Sequence, residues 1–149
     1  MAKVSKDGLN LIKKFEGLKL STYLDSVGIP TIGFGSIRYE DGTKVKLGDK
    51  ISEERALVLL KDHIDEEVIP YIDSLVKVPL NQNQVDALCC LIYNIGGGAF
   101  KSSTVLRKIN SSAPIKEIES AWLLWNKAGG KTLQGLISRR LAEIKLYKQ

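Results

Sequence analysis

Histidine occurs once in this chain of 149 residues, at position 63, and that scarcity removes several chemistries together. A Ser/His or Cys/His nucleophilic system would have to be built on His63 alone, and a zinc site would need His or Cys partners at ligand spacing that the chain does not offer. On the charged side of a helical pattern, His63 reads as a solvated residue. Cysteine is nearly as rare: Cys89 and Cys90 are adjacent inside an apolar run. They are poorly placed to bridge each other and give no disulfide framework, which fits a reducing site of synthesis. The N-terminal MAKVSKDGLNLIKKFEG has no unbroken apolar stretch of the roughly 7–15 residues of a signal peptide, and no later segment approaches the roughly 20 of a membrane span. Without a secretory route, the glycosylation triplet Asn110-Ser111-Ser112 carries no meaning. Gly33-Phe34-Gly35 and Gly96-Gly97-Gly98 lack the following Gly-Lys-Ser/Thr of a phosphate loop and are read as strand and helix-end geometry. No repeat, low-complexity tract or long linker is present.

What remains is an ordinary folded composition, 44% hydrophobic and 26% charged, of a length that suits one domain. Lys and Arg outnumber Asp and Glu by 22 to 17, giving a net charge of +5 and a pI near 9.2. That balance favours a polyanionic partner without choosing among nucleic acid, an acidic membrane face and a cell-wall polymer. The basic residues gather at Lys3, Lys6, Lys13, Lys14 and Lys19, and again at Lys127, Lys131, Arg139, Arg140, Lys145 and Lys148. Each cluster reads as a solvated helix face.

Local signals divide the chain into a short sheet and a long helical remainder. Ser5 is placed to cap a helix carrying Leu9, Ile12 and Phe15, which ends at Gly17 with Glu16 in its last turn. Between residues 18 and 50, Tyr23, Ile32, Phe34, Ile37, Tyr39 and Val45 alternate among glycines, and Asp41-Gly42 marks a hairpin, so two or three antiparallel strands are expected. From Ser52 onward the pattern is helical. Leu57, Leu60, Ile64, Val68, Ile72 and Leu75 form a stripe that Pro70 should interrupt near Val68. Asn81 and Gln84 form a capping box opening the most hydrophobic helix, whose apolar residues stop at Gly96-Gly97-Gly98. Further helices are expected over about 103–109, over about 114–125, which Gly129-Gly130 follows, and from Thr132 or Leu133 to Tyr147 with Leu136, Ile137, Leu141 and Ile144 inward. Trp122 and Trp125 read as core residues.

The chemistry concentrates in FEGLKLSTYLDSVGIPTIGFGS, where Glu16, Asp25 and Thr31 stand within sixteen residues. Glycoside hydrolysis needs one carboxylic acid to protonate the leaving oxygen and one carboxylate across the ring. At a helix C-terminus beside Phe15 and Leu18, the carboxyl of Glu16 meets surroundings that disfavour charge, as a general acid requires. Gly28 and Pro30 suggest a turn bringing Asp25 and Thr31 opposite each other on neighbouring strands, where they could hold one water. Taken singly, each has a plainer reading: a helix-end glutamate paired with Lys13 or Lys19, a turn aspartate bonding its own backbone, a threonine chosen for strand propensity.

The spacing Glu-x8-Asp-x5-Thr resembles the active-site segment of the phage-type lysozymes, glycoside hydrolase family 24, which include the endolysins of lambdoid phages and the T-even phage lysozyme. TIGFG, ALCCLIYNIGGGAFKSSTVLRKIN and GLISRRLAEIKLY are similar to further family segments in the right order, over nearly the whole chain. The resemblance implies an α+β, lysozyme-like fold: one domain over 1–149, with a small antiparallel β lobe at 18–50 and a helical lobe from 1–16 and 52–149. It implies Glu16 as general acid and Asp25 and Thr31 as the groups serving a nucleophilic water. By the same resemblance Ile37 and Tyr93 contact the glycan and Arg139 pairs with the catalytic glutamate, a cation that opposes the helix-end effects on Glu16. Ser36 departs from the family, many of whose members have histidine there.

The implied activity is hydrolysis of the β-1,4 bond between N-acetylmuramic acid and N-acetylglucosamine of bacterial peptidoglycan, with inversion, by a monomer needing no cofactor or metal. The implied setting is the host cytoplasm until a holin opens the membrane, after which the enzyme acts on the wall, with no stable membrane insertion and no nucleic-acid partner. Two other readings stand beside it: a lytic transglycosylase, against which Asp25 and Thr31 argue, and a non-catalytic cationic module binding wall or nucleic acid, which leaves the trio unexplained.

Overall fold

Eight consecutive residues from Val85 to Ile92 are buried, so the helix that carries them has no face for water and must run through the centre of the protein. The computed structural model, which describes residues 1–149, is α+β. In chain order it comprises α1 (Lys6–Glu16), β1 (Lys19–Leu24), β2 (Pro30–Gly33), α2 (Glu53–His63), a π-helical segment (Ile64–Val68), α3 (Ile69–Leu75), α4 (Gln82–Ile95), α5 (Gly97–Lys101), α6 (Thr104–Asn110), α7 (Ile115–Leu123), β3 (Lys127–Ala128), β4 (Lys131–Thr132) and α8 (Gln134–Tyr147). The central helix is α4, and α1, α3, α5, α8 and the π-helical segment all pack on it. Its capping box forms as the sequence predicts: Gln84 N donates to Asn81 Oδ1 and Asn81 N to Gln84 Oε1, each at 2.8 Å. No helix is long and apolar enough to cross a membrane.

Pro70 breaks the long helix as expected, and the break is absorbed as the π-helical turn preceding α3, with Val68 at φ −115°. The buried stripe of α2 runs through Ala56, Leu59 and Leu60, whereas Leu57 is exposed. Leu141 of α8 is likewise exposed. Helical spacing of hydrophobic residues does not by itself fix which neighbouring residue the packing buries. The central helix stops at the glycine triplet as expected, α4 ending at Ile95 with Gly96 as its C-cap, and Gly97 then opens α5 at a point where a side chain would overlap the ring of Tyr71. Gly129-Gly130 is the turn of the small β3–β4 hairpin.

Between residues 18 and 50 two strands form rather than three. β1 and β2 pair antiparallel with a bulge, and the remainder is held by isolated bridges such as Arg38 with Lys44 across the Asp41-Gly42 turn. Helix α1 is fixed to the core by a buried carboxylate. Ser5 does not use its hydroxyl as a cap; hydroxyl and backbone N–H both donate to Asp86 of α4, which is wholly buried and also accepts from Gln82 Nε2 at 2.9 Å. Asp86 therefore fixes where α1 begins, and through the length of the helix the position of Glu16 at its end. Asp86→Ala should lower unfolding stability by about 3 kcal/mol, since it strands a buried N–H and removes charge-assisted bonds. Urea unfolding measures this, and a loss under about 1 kcal/mol would mean that Asp86 does not anchor α1.

Candidate active site

The segment TIGFG bends back on itself after β2. Ile32 and Ser36 exchange both backbone hydrogen bonds at 2.8 Å, and the tight turn between them needs Gly35 at φ +101°. A Cβ on Gly35 would stand 3.2 Å from Glu16 Oε1 and 3.6 Å from the Tyr93 hydroxyl, so the bare backbone makes room for both. Tyr93, from α4, donates its hydroxyl to Phe34 O at 2.9 Å and ties the turn to the central helix. Burial, and then the charge of Glu16, push its phenol well above the ordinary value.

This turn forms one wall of a cleft of about 630 Å³. Glu16 and Tyr93 line it together with Ile37, whose side chain is exposed there. The opposite wall, from α2 and the π-helical segment, presents Asp62, His63, Glu66 and Glu67. His63 is not a plain solvated residue: its ring stands edge-on to Tyr93 with centroids 5.1 Å apart. Burial lowers its pKa, against the opposing pull of Glu67, Glu66 and Glu16. Ser36 also lines the cleft, with its hydroxyl buried and without a partner.

Behind the cleft lies a charged network. Arg139 Nη1 contacts Glu16 Oε2 at 2.5 Å, its Nη2 donates to Cys90 O at 3.0 Å, and its guanidinium lies 5.8 Å from the centre of the Phe15 ring. Glu143, fully buried, accepts from Arg139 Nε at 3.3 Å, from Arg140 Nη2 at 3.1 Å and from Trp122 Nε1 at 3.0 Å, and meets Arg140 Nε at 2.8 Å. Arg140 also reaches Asn94 Oδ1 at 2.8 Å. Arg139 and Arg140 are thus interior residues and no part of a solvated basic face. The spacing that could have revealed this was visible: Glu143 follows the two arginines by four and three residues on one helix, the separation at which side chains meet.

Asp25 and Thr31 lie outside the lining of this cleft, at the end of the β1–β2 hairpin. They do not face each other across the strands, since Thr31 pairs with Tyr23 while Asp25 stands beyond β1 in the turn. Ile29 joins them instead. Its N–H, with that of Val27, donates to Asp25 Oδ1 at 2.8 and 2.9 Å, and its carbonyl accepts from Thr31 Oγ1 at 2.8 Å and from Asp25 N at 3.0 Å. The plainer reading of Asp25, a turn aspartate bonding its own backbone, is therefore realised at one oxygen and leaves the other uncommitted. Tyr23 links this pair to Glu16: burial first, then the charges of Glu16 and Asp25, hold its phenol above the ordinary value.

No group of three or more His, Cys, Asp or Glu side chains is arranged to hold a metal ion. Burial also pushes the Cys89 and Cys90 thiols up, which removes them as nucleophiles at neutral pH. Gly35→Ala should cost about 1–3 kcal/mol, because a side chain is strained at this positive φ, and should push the Glu16 carboxyl away from the turn. Thermal unfolding measures the loss. A variant as stable as the parent would show that the turn does not require a bare backbone.

Residues 13–143 match the phage lysozyme family. The chain is 46% identical to the endolysin of Salmonella phage P22 over 147 residues, 99% of each chain. Its fold superposes on the crystal structure of a P22 lysozyme variant with a TM-score of 0.88, at 45% identity and with both chains fully covered. The muramidase domain of SpmX from Asticaccaulis excentricus is similar too, with a TM-score of 0.88 and 33% identity over 100% of this chain and 99% of that one.

Proposed function

The chain belongs to the phage lysozyme family and is a peptidoglycan-cleaving lysozyme, and we propose from there how its residues divide the reaction. The bond cleaved is the β-1,4 link between N-acetylmuramic acid and N-acetylglucosamine. Glu16 gives its proton to the leaving glycosidic oxygen, and Arg139 steadies the carboxylate left behind. Ile37 and Tyr93 contact the sugars along the cleft. Asp25 and Thr31 hold the attacking water on the face of the ring away from Glu16. Residues 18–50 act as a lobe that brings this pair to a substrate seated against the helical remainder of a single domain.

One observation carries the hydrolytic reading: the way Ile29 commits one side of each group. Asp25 Oδ1 already accepts two N–H donors, which leaves Oδ2 as the oxygen for water. Thr31 has spent its only proton on the Ile29 carbonyl, so its hydroxyl can only accept from the water. A water between them donates one hydrogen to each and presents its lone pair to the anomeric carbon. As the carbon–oxygen bond to the leaving group breaks, the water oxygen bonds to carbon, its proton passes to Asp25 Oδ2, and the Glu16 proton goes to the departing hydroxyl. Attack from the far face inverts the centre, and the β-linked sugar is released as the α anomer.

The net positive charge suits the carboxylates of wall peptides. The enzyme works as a monomer, without nucleic acid, metal or stable membrane insertion. It stays in the host cytoplasm until a holin opens the membrane and then meets the wall.

Glu16→Gln should slow the clearing of purified peptidoglycan by at least about 100-fold, the contribution of a positioned general acid. Thr31→Ser should keep most of the activity, while the isosteric Thr31→Val, which cannot accept from the water, should lose it. Digests should carry reducing muramic ends, first formed as the α anomer by NMR. Anhydromuramic ends would instead identify a transglycosylase, and parental clearing by Glu16→Gln would remove Glu16 from the chemistry.

A further inference from the structure

Of the four charged side chains in the network behind the cleft, only Glu16 meets solvent appreciably, with 20% of its side chain exposed against 4% for Arg139 and none for Arg140 and Glu143. Glu16 is thus the one member that can exchange a proton with water or substrate. The other three make a fixed frame of two positive charges and one negative. Arg139 divides its guanidinium between the two glutamates, Nη1 to Glu16 and Nε to Glu143. Glu143 in turn is divided between the two arginines, each oxygen contacting Arg140 and one other donor. A carboxylate held by two guanidinia and an indole N–H, and with none of its side chain exposed, stays put while Glu16 gains and loses its proton.

We infer that Glu143 is a positioning residue for the acid: by drawing on Arg139 from behind, it sets how strongly that arginine holds the ionised form of Glu16. Without the Glu143 charge, two cations would face Glu16 alone. Its carboxylate would be held harder, and the proton that the reaction needs would be lost at lower pH. Arg140 acts in the opposite sense, since it takes up part of the Glu143 charge that would otherwise fall on Arg139. The other charged or titratable groups facing Glu16 come from separate elements, namely Tyr93 on α4, His63 at the end of α2 and Tyr23 on β1. Those facing Glu143 are Arg139 and Arg140 on its own helix and Cys90 on α4, beside the Trp122 indole of α7.

This inference rests on Glu16 being the acid, and its test reads the position of a pH limb rather than the presence of activity. The dependence of kcat/KM on pH should be recorded with purified peptidoglycan for the full chain, for Glu143→Gln and for Arg140→Gln. Glu143→Gln keeps acceptor and shape but removes charge, and its alkaline limb should move down by about one pH unit. The limb of Arg140→Gln should move up, and the double variant should return toward the parent. A merely structural role would lower the amplitude of the profile without moving the limbs in opposite directions, and either variant alone decides the sign. Limbs that coincide with the parent's, or that move the same way, overturn the inference. A dead Glu16→Gln beside unmoved limbs would sink this inference alone, whereas an active Glu16→Gln would sink the assignment of the acid.

Discussion

A guanidinium placed in the interior must be paired, and the pairing of Arg139 dictates where three helices meet. Its partners are the last residue of α1, a carbonyl of α4 and a carboxylate one turn further along α8. Removing one member of a buried pair leaves an uncompensated charge, at a cost of about 3–5 kcal/mol. Apolar burial alone could let α1, α4 and α8 slide against one another by a fraction of a turn, but the donors of a rigid planar group cannot follow such a slip. Asp86 repeats the device at the other end of α1, where it fixes Ser5 to α4. Glu16 thus sits at the end of a helix pinned twice, a precision that suits the acid role proposed for it, in which its proton must reach one particular oxygen.

The two halves of the site are built differently. Glu16 and Arg139 lie 123 positions apart in sequence, so the half of the site proposed to supply the acid exists only when the whole helical assembly has formed. Asp25, Ile29 and Thr31 lie within one hairpin and organise one another through backbone hydrogen bonds. This half, proposed to hold the water, needs little more than the β1–β2 turn for its internal geometry. It depends on the rest of the fold only for being carried to the substrate.

That difference explains what could be read from the sequence. The spacing of the trio, the capping box of α4, the break at Pro70 and the final helix are legible because each is written in nearby residues. The face that α2 and α8 bury was misjudged at Leu57 and Leu141, where apolar residues end on the surface because packing, not hydrophobicity, chose the stripe. His63 was read as solvated because nothing local announces Tyr93, thirty positions away in the chain. Arg139 and Arg140 were counted in a basic surface cluster because a tally of charges ignores depth, although Glu143 at helical spacing offered a way to discount them. The β1–β2 turn is legible in kind and wrong in register, since a turn closed by Asp25 N donating to Ile29 O sets Tyr23, not Asp25, opposite Thr31.

The buried arginines also change what the net charge means. The positive charge that can steer the protein toward an anionic wall belongs to the lysines and to the exposed Arg38, Arg55 and Arg107, while Arg139 and Arg140 face inward. The cleft has the opposite character, with Glu16, Glu40, Asp62, Glu66 and Glu67 along its walls against Arg38 alone among the cations that line it. A glycan backbone of hydroxyls and amides is recognised by hydrogen bonding and apolar contact, and an acid-rich cleft can supply acceptors for it without needing charge complementarity. Attraction to the polymer and recognition of the sugar are therefore separate tasks on separate surfaces. Salt that screens the exposed cations should act on encounter with the wall far more than on the Glu16–Arg139 pair, whose guanidinium is buried.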